Sequence, residues 1–180
     1  MIYAGIDVGT RVCKMALLGR DLIYVGDYDK EKLKGVFAAG IDAPLSFPSK
    51  GKLRECEKKL LKLGIRLFPS GAEFFRETAL IGMAIAEELR ALGIRVFEVY
   101  PYATRFVLEI APKAKKRTKK GLKEIRLALS KFLAIPELSH DEIDAVISAL
   151  TVREFFEGRG LVLDGDGEIV IPRIDWRSRL

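Results

Sequence analysis

Ile2-Tyr3-Ala4-Gly5-Ile6-Asp7-Val8-Gly9 is the stretch whose reading decides the fold. An apolar run with β-branched and aromatic members leads up to a glycine, the pattern of a buried strand over residues 2–8. Asp7 interrupts that run near its end. Packing does not account for a carboxylate there, and burying one is costly unless something pairs with it. The plain alternative is a turn acid bonding backbone near Gly9. Three further stretches extend the pattern. Gly40-Ile41-Asp42-Ala43-Pro44 and Phe97-Glu98-Val99-Tyr100-Pro101 place an acid near the end of strands over 37–42 and 94–100, each just before a proline. Asp141-Glu142-Ile143-Asp144-Ala145 sets two aspartates three residues apart, on one face of a helix. A divalent cation that prefers hard oxygen ligands is the natural partner for such a set.

Working outward, residues 12–18 and 21–26 read as strands joined through Gly19-Arg20, making an antiparallel meander with the first. A short helix is expected over 29–35. Apolar positions Leu53, Cys56, Leu60 and Leu63 predict a helix over 52–63. Ser70 and Glu73 form a capping-box pattern for a helix ending at Gly93. A short helix over 102–110, a basic loop from Pro112 to Gly121 and a helix over 122–133 follow. Ser139 and Glu142 cap a helix that runs to about Glu157. A hairpin is expected near 161–171, around Asp164-Gly165-Asp166-Gly167. Phe74, Phe75, Phe106 and Phe155 read as core. Three antiparallel strands followed by strands with crossover helices predict a mixed α/β sheet whose later strands lie parallel to the first. Their C-terminal ends then share one edge, where ligand crevices of α/β sheets form. Asp7 and Asp42 can share a metal there, with Glu98 one strand further out.

The 180 residues are expected to form a single domain, 1–180, large enough for a core without disulfides. Cys13 and Cys56 are not closely spaced, which argues against a zinc site or a secreted scaffold. No signal-peptide pattern and no apolar run of 18 residues is present, so a cytoplasmic protein without a membrane span is expected. The net charge of +6 allows an anionic partner. The sequence contains no Asn and no Gln. Their absence beside abundant Lys, Glu and Arg fits a thermophile. It also removes the side chains that read adenine bidentately, so any nucleic-acid binding is expected to go through backbone contacts and shape.

Asp7 at the end of the first strand, an acid ending a later parallel strand and Asp141-x-x-Asp144-Ala145 opening a final helix resemble the ribonuclease H-like fold, especially its Holliday-junction resolvase branch. Ile41-Asp42-Ala43-Pro44-Leu45, Arg54-Glu55-Cys56-Glu57, Glu98-Val99-Tyr100-Pro101 and Asp141-x-x-Asp144-Ala145 are similar to a poorly characterised family of predicted nucleases with that fold, over residues 1 to about 157. Gly5-Ile6-Asp7-Val8-Gly9-Thr10 also resembles the first phosphate loop of sugar kinases and actin-like ATPases, but no second phosphate loop follows.

The resemblance implies a metal-dependent nuclease acting on phosphodiester bonds of DNA or RNA. Two cations, Mg²⁺ or Mn²⁺, about 3.5–4 Å apart would bridge the scissile phosphate. Asp7 would be the shared ligand, Asp42 would complete one site, and Asp144 with Asp141 the other. Glu98 is either a further ligand or the partner of a base such as Arg105. His140, the lone histidine, reads as an exposed first-turn residue. Lys113, Lys115, Lys116, Arg117, Lys119 and Lys120 are candidates to grip phosphates, against the reading of a solvated charge run. A non-catalytic binding module on the same fold is the competing class.

Overall fold

The computed structural model describes residues 1–173; the last part of the expected 1–180 domain lies outside the described residues. Seven strands form one sheet: β1 (Ile2–Asp7), β2 (Lys14–Leu18), β3 (Leu22–Asp27), β4 (Val36–Asp42), β5 (Arg95–Val99), β6 (Gly160–Asp164) and β7 (Glu168–Pro172). Their order is β3-β2-β1-β4-β5-β7-β6. The first three strands are the expected antiparallel meander, and β4 and β5 extend it in parallel with β1. The hairpin 161–171 is not a mere tail. Its second strand, β7, pairs parallel with β5 and continues the sheet, and β6 forms the far edge.

Among the described residues, five α-helices flank the sheet: α1 (Glu55–Lys62), α2 (Arg76–Ala91), α3 (Pro101–Val107), α4 (Lys119–Leu129) and α5 (His140–Glu154). Side chains alternate between the two faces of a strand. Ile6 and Ile41 therefore turn to one face, where they join Ile85, Ala86 and Leu89 of α2 in one core cluster. Gly5 and Gly40 are register partners on the other face. A Cβ on Gly5 would stand 2.0 Å from the Ala145 carbonyl oxygen, and one on Gly40 2.8 Å from that of Ser148. These two glycines make the flat strip on which α5 lies. Asp7 and Asp42 follow two residues later on the same face, beneath the start of α5.

Several local expectations change. Ser70 does not cap a helix; its hydroxyl donates to Glu57 Oε2 at 2.9 Å, and α2 begins only at Arg76 after a 3₁₀ turn over Glu73–Phe75. Phe74 sits on that turn, outside the α2 core stripe, and is 67% exposed rather than core. The helix expected from 122 begins at Lys119, because Thr118 Oγ1 accepts the Gly121 N–H at 3.1 Å. The Ser139–Glu142 capping box forms as expected. Among the described residues, no helix is long and apolar enough to cross a membrane.

Candidate metal centre

Asp7 and Asp42 are direct register partners at the C-terminal ends of parallel strands. Asp144 reaches them from the first turns of α5, which the Ser139–Glu142 cap starts and the glycine strip seats. One oxygen from each of the three carboxylates lies within 4.8 Å of the others. Asp144 is buried. Asp7 and Asp42 keep some surface in a cleft of about 450 Å³, whose walls also include Pro44, Tyr100, Lys116 and Arg117. Although Asp42 retains that surface, protein atoms crowd its carboxyl.

The charges in this triad work against one another. Burial, then Asp144 and Asp141, push Asp7 up to about 7. Burial, then Asp144 and Asp7, hold Asp42 well above the ordinary carboxylate range. Carboxyl oxygens of Asp7 and Asp42 lie within 4.8 Å of each other, and their repulsion favours holding a proton. Asp144 is also raised by burial, an effect that Lys116 opposes. Lys116 Nζ donates to Asp144 Oδ2, so one ammonium stands among three carboxyl groups. Three hard oxygen donors and no nitrogen or sulfur ligand suit Mg²⁺ or Mn²⁺. Their mutual repulsion is what such a cation would relieve.

Lys116 is brought here by a loop that has its own brace. Arg105, buried on α3, donates to the carbonyls of Ile110 at 3.2 Å and Ala114 at 3.1 Å, and to that of Ala111 at 2.5 Å. Glu109 and Ala111 adopt positive φ values of 55° and 41°, a conformation disfavoured without glycine. Arg105 therefore serves this loop and is not the partner of Glu98. Lys113, Lys115 and Arg117 are exposed on the loop, whereas Lys119 and Lys120 lie in the first turn of α4. No acid accompanies them in that turn. Cations at the positive end of a helix dipole are mildly unfavourable, so this arrangement concentrates positive potential beside the cleft.

Two sequence candidates stand apart from the triad. Asp141 is half-exposed, and its Oδ1 lies 2.6 Å from His140 Nδ1. It contributes its negative field to Asp7 without joining the cluster. Glu98 pairs in register with Ile41, one residue before Asp42. A one-residue offset turns a side chain to the opposite face. Its carboxylate accordingly faces away from α5 and binds the Arg54 guanidinium, with Nη2 to Oε1 at 2.5 Å. Sequence reasoning assigns no role to Arg54 or Ser46 and takes Lys116 only as part of a basic run. The signal for Arg54 is a charge placed among the apolar positions that open α1.

No protein-family model matches the chain, and no curated protein matches it in sequence. Solved structures do. The chain is similar to Thermus thermophilus RuvC, with a TM-score of 0.52 at 17% identity, over 88% of this chain and 97% of that one. It is also similar to T. thermophilus RuvC in complex with a Holliday junction substrate, with a TM-score of 0.50 at 16% identity and the same coverage. At such identities the likeness is one of fold. The chain thus has a ribonuclease H-like fold, with RuvC as its structural neighbour.

Proposed function

We propose that the chain is a metal-dependent nuclease that hydrolyses phosphodiester bonds, with Asp7, Asp42 and Asp144 as cation ligands. One observation carries this reading. Three carboxylates are gathered within 4.8 Å at the C-terminal edge of parallel strands, against a single neighbouring ammonium. Such a cluster costs stability by itself, so a charge from outside the chain accounts for it better than packing does. Bound Mg²⁺ or Mn²⁺, as a pair in the two-metal form, would lower the pKa of an attacking water and stabilise the leaving oxygen.

The chain's own groups do the rest. Asp7, flanked by Asp42 and within reach of Asp144, is placed to be shared between both ligand sets. Asp141 strengthens the negative field from the mouth of the site. Lys116 and Arg117 line the cleft and offer charge-assisted hydrogen bonds to phosphate oxygens. Lys113, Lys115, Lys119 and Lys120 extend the positive surface and hold backbone phosphates without reading bases. Glu98 acts through Arg54 and not as a ligand. One structural neighbour was solved with a Holliday junction substrate, which makes branched DNA the first substrate to try, beside duplex, single-stranded and RNA forms.

Cleavage should require Mg²⁺ or Mn²⁺ and vanish in Asp7→Asn, which removes charge with little change in shape. Full activity in that variant, or in excess chelator, overturns the reading. The Lys116–Asp144 pair favours a second reading, a binding module in which the lysine stands in for a cation. Nucleic-acid binding that ignores chelator, with no turnover of any substrate, would make that module the better description.

A further inference from the structure

Arg54-Glu55-Cys56-Glu57, Glu98 and the residues just after Asp42 converge on one buried cluster, on the side of the sheet away from α5. Arg54 is 1% exposed and Glu98 6%. Arg54 Nη1 donates to Glu98 Oε2 at 2.8 Å and Nη2 to Oε1 at 2.5 Å, a bidentate pair. Glu98 Oε2 also accepts the Leu45 N–H at 2.8 Å. Arg54 Nη1 donates further to Ser46 Oγ at 2.9 Å, and that hydroxyl donates to the Asp166 carbonyl at 2.5 Å. Two consecutive residues, three and four positions past Asp42, are thus tied to one ion pair.

A buried ion pair is a poor stabiliser in itself, because desolvation offsets the attraction. Its place in the chain gives a better account. Asp42 is the last residue of β4 and faces α5. Ala43 faces the other way, so close to α2 that a Cβ on Gly82 would stand 2.6 Å from its methyl. The backbone must then turn through Pro44, and where it goes next sets where the Asp42 carboxylate points. We propose that the Arg54–Glu98 pair is a positioning device: it pins the turn after Asp42 and so holds that carboxylate against Asp7 and Asp144 in a cation-binding arrangement. This deepens the metal-centre reading and rests on it.

The guanidinium is itself held from several sides. Glu57 Oε1 accepts from Arg54 Nη2 at 3.4 Å and is itself fixed by the Ser70 N–H at 3.0 Å, while Glu57 Oε2 accepts the Arg54 backbone N–H at 2.8 Å. The β6–β7 turn closes the cluster. A Cβ on Gly167 would stand 2.2 Å from Ser46 Oγ and 3.2 Å from Arg54 Nη1. Segments around residues 46, 57, 98 and 167 therefore meet at one side chain, with Leu45 and Ser70 fixing its acid partners.

The test is Mn²⁺ affinity, measured by calorimetric titration beside melting temperature. The variants are Glu98→Gln, Ser46→Ala and the double change Arg54→Met with Glu98→Leu. Losing groups that orient a metal ligand typically costs about 10–100-fold in affinity. The double variant removes both charges of the pair, and buried Glu57 keeps the residue 54 N–H and the Ser70 N–H and hydroxyl as donors, so it is expected to fold, with Mn²⁺ bound about 10–100-fold more weakly. Glu98→Gln keeps an acceptor for Leu45 and loses less; Ser46→Ala loses roughly a few-fold, and being a small truncation it decides the matter if the double variant does not fold. Half-maximal cleavage should need correspondingly more Mn²⁺, with the rate at saturating metal and the KM for nucleic acid near wild type. A purely structural role would lower the melting temperature and leave affinity alone. Wild-type Mn²⁺ affinity in the folded variants overturns the positioning role while the metal centre stands. No Mn²⁺ binding by the wild-type protein overturns both.

Discussion

The metal-free protein should become more stable when Asp7 is replaced by Asn, and only above a certain pH. Asp7 moves from an ordinary 3.8 to about 7 on folding, chiefly through burial and then through Asp144. Between those values the folded chain holds a proton that the unfolded chain has released, so stability falls as pH rises. The penalty is absent near pH 4 and complete above about pH 7. A shift of about 3 units corresponds to roughly 4 kcal/mol as an upper figure, at about 1.4 kcal/mol per unit. The amide of the Asp7→Asn variant imitates the neutral acid and escapes this cost. In chelator at pH 8, Asp7→Asn should therefore melt higher than wild type by up to about 8–16 °C, at roughly 2–4 °C per kcal/mol for a chain of this size. At pH 4.5 the gap should shrink to about a quarter, roughly 1 kcal/mol. Saturating Mn²⁺ should reverse the order at pH 8, adding about 2.7 kcal/mol to wild type at 100 times Kd and much less to the variant. The assay is thermal and urea denaturation across pH 4.5–8, with and without metal. An advantage independent of pH, or none at pH 8, would refute the claim that the triad is electrostatically frustrated.

Exchanging Lys115, Lys119 and Lys120 for Ala should weaken nucleic-acid binding alike for unrelated sequences and flatten the slope of log K against log salt by about 0.9 for each phosphate no longer neutralised on duplex DNA; an unchanged slope would mean that these residues are only solvated surface. Gly5→Ala would drive a methyl against the α5 backbone, 2.0 Å from the Ala145 carbonyl oxygen. It should cost about 3 kcal/mol or more and weaken Mn²⁺ binding by lifting Asp144 from Asp7. A melting curve and a metal isotherm both matching wild type would show that the helix seats elsewhere.

How much of this is legible in the sequence depends on what each feature needs. Asp7, Asp42 and Asp144 can be found because each breaks a local rule: an acid ends a buried strand, or sits among the apolar positions of a capped helix. The meander and the parallel crossovers follow from spacing alone. Glu98 breaks the same rule as Asp42 and so looks like its equal. What separates them is a one-residue register offset between β4 and β5, and register is set by packing across the sheet, not by either strand. Ser70 fails for a similar reason: the local capping pattern loses to a buried carboxylate 13 positions away. The insertion of β7 beside β5 needs a partner distant in sequence, which no hairpin signal reveals.

The basic run shows the same limit from the side of function. Six cations between Lys113 and Lys120 look interchangeable in sequence. Only Lys116 is turned inward onto Asp144, and it is the Arg105 brace on the Ile110, Ala111 and Ala114 carbonyls that shapes the loop presenting it. By sequence, Glu98 is either a further ligand or the partner of a base such as Arg105. Exchanging that partner for Arg54 reorganises the whole reading. One arginine shapes the loop that brings a cation to the triad, while the other clamps the turn that follows a carboxylate of the triad. Both arginines are buried, and each donates to protein acceptors, Arg54 through its two Nη atoms and Arg105 through Nε and Nη2. Arg54 borders the cleft, but its ion pair with Glu98 and the loop bonds of Arg105 make both residues a frame around the acids. Under the proposed function, the exposed lysines and Arg117 are the groups expected to meet the substrate. That division explains why a chain with a positive surface keeps two of its arginines in the interior, where charge is most costly to bury.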